Sequence, residues 1–164
     1  MAANEKLLRP LVFLWKAYCR LSSFLWGEGD WKLRPLHQMV IDQLLSRLSP
    51  DLSEKVRLQL QQRYFVQFIP HGRINSIYFY NLPINLLISD PNFSDALYKL
   101  EMYVDDIKQQ VIITFSYGQI FTIEFRKDSK FYTNKKIRFG ALSRVGPKQS
   151  YAGVIDRLEH GTSD

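Results

Sequence analysis

The chain is poor in the residues from which familiar chemistries are built. It has one cysteine, Cys19, so it can form neither an intramolecular disulfide framework nor a multi-cysteine zinc site, and a reducing cytoplasm is the expected compartment. In its apolar setting Cys19 reads as a small buried hydrophobe. The three histidines, His37, His71 and His160, stand far apart and none falls in HExxH or HxH spacing, so no metal is expected. His71, in "PHGR", reads as an exposed turn residue. GxSxG, P-loop and GxGxxG patterns are missing, and "WGEGDW" is too short and badly spaced for a phosphate loop. Glu101 and Glu124 fall on different expected strands, and Asp105-Asp106 supplies turn chemistry. The expectation is a protein with neither catalytic site nor cofactor.

Long hydrophobic runs are also lacking. In "LRPLVFLWKAYCRLSSFLW" the longest unbroken apolar run is Leu11 to Trp15, well short of the roughly 18–20 residues of a membrane span, and Lys16 and Arg20 break up the apolar residues beyond it. No transmembrane span is expected. The stretch has neither the long apolar centre nor the small-x-small cleavage site of a signal peptide. Wound as a helix over residues 9–26, it places Arg9, Phe13, Lys16, Arg20 and Ser23 in one stripe. Leu11, Leu14, Tyr18, Leu21 and Leu25 share another face, with Val12, Trp15, Cys19 and Trp26 beside it. The plain expectation is a helix packed into the core with its basic stripe in water. The competing reading is a helix that binds a partner or a membrane surface.

Apolar and aromatic residues are plentiful: at 46% hydrophobic and 14% aromatic over 164 residues, one compact domain with a real core is expected. The net charge of +6 is unevenly placed. Residues 1–36 hold six cations and three anions, residues 37–106 six and eight, residues 107–164 ten and five. Both ends are basic, which bears on partners and not on fold.

Leu33, Leu36, Val40, Leu44 and Leu48 recur at helical spacing, and "SPDLSEKVRLQLQQR" restarts a helix with Ser49 as cap and Pro50 in the first turn. From Tyr64 the period becomes two. Pairing Ile69 with Ile74 across "PHGR" puts Tyr64, Val66, Phe68, Ile77 and Phe79 on a core face, and Phe65, Gln67, Ser76, Tyr78 and Tyr80 on the other. Leu100, Met102 and Val104 alternate against Glu101, Tyr103 and Asp105. In "QQVIITFSYGQIFTIEFRK" a three-residue loop, Ser116 to Gly118, aligns Val111, Ile113 and Phe115 with Phe121, Ile123 and Phe125. The reading is an α+β domain: about three N-terminal helices (about 9–62) on an antiparallel sheet of about five strands (about 64–126), then a basic C-terminal flank (126–164).

That flank draws attention because residues 126–148 carry eight lysines and arginines against one aspartate. Arg126, Lys127, Lys130, Lys135, Lys136, Arg138, Arg144 and Lys148 could follow phosphates while Phe131, Tyr132 or Phe139 stack on bases. The plainer reading is a solvated flank whose aromatics dock on the core. The leading functional expectation is a non-enzymatic protein-binding module, an adaptor or inhibitor acting by occlusion through Tyr78, Tyr80 and Tyr103. Immunity proteins of bacterial toxin systems are one class of this size and plainness. Nucleic-acid binding through the basic-aromatic segment is the alternative. Attachment to a membrane surface through residues 9–26 is the third.

Overall fold

Residues 18, 21–25, 28–69 and 72–145 are described by a computed structural model. Cys19, His71, His160 and Lys148 lie outside these residues. After helical residues 18 and 21–25, the order is β1 (Gly29–Asp30), α1 (Pro35–Leu45), α2 (Pro50–Leu60), β2 (Tyr64–Ile69) and β3 (Ile74–Phe79). The one-turn helix α3 (Pro91–Ser94) comes next, then β4 (Leu97–Val104), β5 (Ile107–Ser116), β6 (Gln119–Phe125) and β7 (Ile137–Val145). Short 3-10 turns occupy Ile84–Leu86 and Ser129–Tyr132. The result is an α+β architecture with a seven-stranded antiparallel sheet in the order β1-β2-β3-β6-β5-β4-β7.

Helix α1 starts at Pro35, a position where the missing N–H would have had no intrahelical partner. The Nδ1 of His37 accepts the Arg34 N–H at 3.2 Å, closing the first turn from within. His37, Val40, Ile41 and Leu44 then face the sheet, one stripe at three- and four-residue spacing. Helix α2 begins at Pro50 with Ser49 at its N-cap, although the Ser49 side chain makes no capping bond. It buries Ser53, Val56 and Gln59 in place of a leucine stripe. Val40, Ile41, Leu44 and Val56 pack with Ile77, Leu100, Met102, Ile113 and Ile123, all fully buried, so the core lies between the two helices and one sheet face.

The β2–β3 hairpin has the expected register, Ile69 opposite Ile74 and Val66 opposite Ile77. The β5–β6 hairpin differs. Its loop is the two residues Tyr117 and Gly118, both at positive φ (52° and 75°), a mirror-image turn whose twist matches the strands. Val111 opposes Phe125 and Ile113 opposes Ile123, where the three-residue loop would have set Val111 opposite Ile123 and Ile113 opposite Phe121, and Phe115 meets Ile120. The register shifts between Thr114 and Phe115, and Phe121 is the extra residue. Ile120 is therefore in the core, and Phe121 stands half-buried on the other face.

The expected five strands are seven, because both sheet edges were missed. β1 has only two residues, created by pairing Gly29 and Asp30 with Gln67 and Val66. β7 lies inside the basic segment, so the sheet extends past 126 to Val145. It pairs along β4, with a register shift between Leu100 and Met102 where Gly140 crosses. A Cβ on Gly140 would stand 2.9 Å from Glu101 Oε2 and from the Tyr103 ring, so a larger residue there would have to push both side chains aside. The irregularity breaks the period-two alternation that would have marked the strand.

Candidate interaction surface

The sheet face away from the helices carries the three tyrosines singled out by sequence, but in two places. Tyr78 and Tyr80, half-buried, stand at and just beyond the end of β3. Tyr103 is on β4, separated from β3 by β6 and β5. Tyr103 belongs to a polar group: its hydroxyl donates to Glu101 Oε2 at 3.4 Å, and the Arg138 guanidinium lies 5.7 Å from its ring.

Around Tyr80 the chain assembles something the sequence did not announce. β1 brings its Gly29 onto the Phe65 ring so closely that a Cβ would sit 2.2 Å from Cζ. This approach carries Trp31 across the face, and its backbone N–H is held by Asp30 Oδ1 at 2.7 Å. The indole packs edge-on against Phe65 (5.0 Å, 71°) and stacks on Tyr80 (5.7 Å, 24°). The Arg63 guanidinium lies 5.7 Å from the Trp31 ring and 5.2 Å from the Tyr80 ring. Tyr80 N–H bonds Arg63 O at 3.1 Å, so ring and cation are joined through the backbone. Tyr78 continues the patch with an edge-on contact to Phe121 at 6.1 Å. Phe65 beneath is buried, while Trp31 keeps 38% of its surface exposed. Only "WGEGDW", with tryptophans flanking two glycines, hinted at a ring carried on a close backbone approach; Arg63 gave no signal.

In the basic segment the aromatics turn inward. Tyr132 is 5% exposed and packs on Phe125 at 5.4 Å and on Phe131 at 5.1 Å. Burial pushes the Tyr132 phenol up, against the Lys127 N–H donated to its oxygen at 3.2 Å. Phe131 and Phe139 pack against the core. Several cations are engaged: Lys135 with Asp105 at 2.7 Å, Arg138 with Asp106, and Arg144 with Asn92 O and the Phe93 ring. Asp105 also accepts the Lys136 N–H at 3.0 Å and is held below the usual carboxylate range, first by Lys135 and then by this amide. Lys130 and Lys136 are exposed. Glu101 is lowered chiefly by its bond with Lys108, which raises Lys108 in turn.

His37 is 3% exposed, stacked on Phe68 (5.9 Å) and tilted against Phe125 (5.5 Å). Burial, then the Arg34 charge, lower it to about 4, with the Asn75 side chain opposing in part. It is a neutral core imidazole. Among the described residues no three His, Cys, Asp or Glu side chains are grouped to hold a metal ion. No family model, no curated protein and no solved structure matches the chain.

Proposed function

We propose that this domain is a protein-binding module whose contact surface is centred on Trp31, Tyr80 and Arg63, with Tyr78 at its margin. The observation that carries the reading is the cluster itself: a part-exposed indole stacked on a tyrosine, with one guanidinium beside both rings, over a buried phenylalanine. Tryptophan, tyrosine and arginine dominate the energetics of protein interfaces. Rings already held in place lose little conformational freedom on binding. The role is occlusion, as an adaptor or inhibitor, with no reaction of its own. Tyr103, in its own polar group, is not part of this centre.

The test is capture on the immobilised chain from nuclease-treated lysate of the source cell, wild type beside Trp31→Ala. A stoichiometric protein band retained by the wild type and lost with Trp31→Ala supports the reading; a band indifferent to the substitution removes it. Nucleic-acid binding through residues 126–148 is the competing reading. It keeps exposed cations such as Lys130 and Lys136, but the Tyr132 ring is buried and could not stack on a base. It predicts affinity falling steeply with salt, a slope that Lys135→Gln, Lys136→Gln and Arg138→Gln together would flatten.

A further inference from the structure

The helical residues 18 and 21–25 leave Leu21, Phe24 and Leu25 exposed, so the core-packed expectation fails for them, and no described helix is long and apolar enough to cross a bilayer. The outer edge of β7 is more specific, because its backbone states what can pair with it. In an antiparallel ladder, opposed residues alternate between pairs that exchange both hydrogen bonds and pairs that exchange none. Val104 opposes Ile137, and the Asp105 N–H bond to Lys136 O at 3.0 Å flanks this pair as it does in the kind that exchanges none. Tyr103 and Arg138 are therefore the pair that exchanges both, and the N–H and C=O groups of Ile137 and Phe139 point away from β4. β7 ends the strand order, so no described strand meets them. Further along, Arg47 donates to Gly140 O. A row of outward backbone groups on an edge strand is a template for a further strand.

Beside these groups α1 and β7 leave a groove of about 410 Å³, lined by Met39, Asp42 and Gln43 of the helix and by Ile137, Arg138 and Phe139 of the strand. A strand laid along Ile137–Phe139 would send alternate side chains into this groove, against Met39, which is 41% exposed, and the others to the face that carries Arg138 and Tyr103. The described charges favour acids on that strand. Lys108, Lys135 and Arg138 are answered by Glu101, Asp105 and Asp106. Arg47, Lys136 and Arg144, all exposed, then stand against Asp42 among the described side chains of β7, its approach and the groove. A second copy fits less well: β7 paired with itself about Ala141 would set Arg138 opposite Arg144, like charge on like. We propose that the β7 edge at Ile137–Phe139 takes up an extended segment of a partner protein, alternating apolar and acidic residues, as an added strand. This edge and β1, which carries Trp31 into place, are opposite ends of the sheet, so the two surfaces stand or fall separately.

The probe is the peptide acetyl-Glu-Val-Glu-Val-Glu-Val-Glu amide, titrated against the isotope-labelled full chain. Its valines, whose side chains enter the groove, are also the residues whose N–H groups face β7, since directly opposed residues share a face. Amide exchange at Ile137 and Phe139 should slow at least about tenfold at saturation. The same peptide N-methylated at its valines should bind at least about tenfold more weakly, the worth of one or two hydrogen bonds. Lysine in place of each glutamate should also weaken it. Met39→Glu, a change at an exposed position on the groove wall, should reduce binding with an unchanged thermal midpoint, and Trp31→Ala should leave binding as it is. No binding of the acidic peptide overturns the proposal. So does equal binding of the N-methylated peptide, or protection that appears away from Ile137 and Phe139. Protection of these two amides that rises with protein concentration in the absence of peptide would assign the edge to a second copy, and overturns it as well.

Discussion

Gln59, fully buried on α2, donates its Nε2 to Gly118 O at 2.8 Å while its Oε1 accepts the Ile120 N–H at 3.2 Å. The same Nε2 reaches Leu86 O at 2.8 Å. One side chain thus ties the helix layer to the tip of the β5–β6 hairpin and to the turn at Ile84–Leu86. Gln59→Leu would leave the buried Ile120 N–H and the Leu86 O without this partner, while Gly118 O keeps the Ile88 N–H at 2.8 Å. The expected loss is about 2 kcal/mol, read as a lower denaturation midpoint with an unchanged m-value.

The hairpin tip offers a change in each direction. Gly118 has φ +75°, and a Cβ there would lie 2.5 Å from Ile88 O, so Gly118→Ala should destabilise markedly. Tyr117 also has positive φ, 52°, yet is 81% exposed and adds little packing. Tyr117→Asn, a residue that tolerates this backbone region, should stabilise by about 0.5 kcal/mol. Thermal melts of the two variants should move in opposite directions.

Stability should rise with pH across the window set by His37. Its pKa falls from 6.5 to about 4 on folding, so between those values the unfolded chain binds the extra proton. The contribution is complete above the unfolded value and is lost as pH falls toward about 4, amounting to about 3 kcal/mol for a shift of this size. His37→Gln should flatten the dependence within this window. Glu101 and Asp105, both lowered, have the same sign, and their contributions are lost further down, as pH falls through their folded values.

β7 should be separable from the rest of the sheet. Asp105 and Lys136 exchange two bonds at its start: Asp105 N–H to Lys136 O at 3.0 Å, and Lys136 N–H to Asp105 Oδ1 at 3.0 Å. Gly140→Val would drive side-chain atoms into Glu101 and Tyr103. Amide exchange should then accelerate across Ile137–Val145 while β5 and β6 keep their protection.

The parts legible in the sequence were those where local pattern and final environment agree. α1, the Ile69–Ile74 register and the alternation of Leu100, Met102 and Val104 needed nothing distant. The misreadings share a cause: a tertiary contact overrode the local signal. β1 exists only because β2 lies beside it, and β7 hid its alternation behind the crossing at Gly140. Phe121 left the core because two left-handed residues closed the loop early. Gln59 took a core position because distant carbonyls needed a donor. The candidate site divides the same way: Tyr78 and Tyr80 could be named from strand period, but Trp31 and Arg63 join them only when the chain closes.

The most direct measurement of the central claim is quantitative capture from nuclease-treated lysate with three forms of the chain: wild type, Trp31→Ala and Tyr103→Ala. Absorbance at 260 nm is read beside the protein bands, and thermal midpoints are matched beforehand. A surface centred on Trp31 predicts a stoichiometric protein band with the wild type and Tyr103→Ala, reduced at least about tenfold with Trp31→Ala. A band that survives Trp31→Ala, or retention of nuclease-protected nucleic acid with no protein, would contradict it.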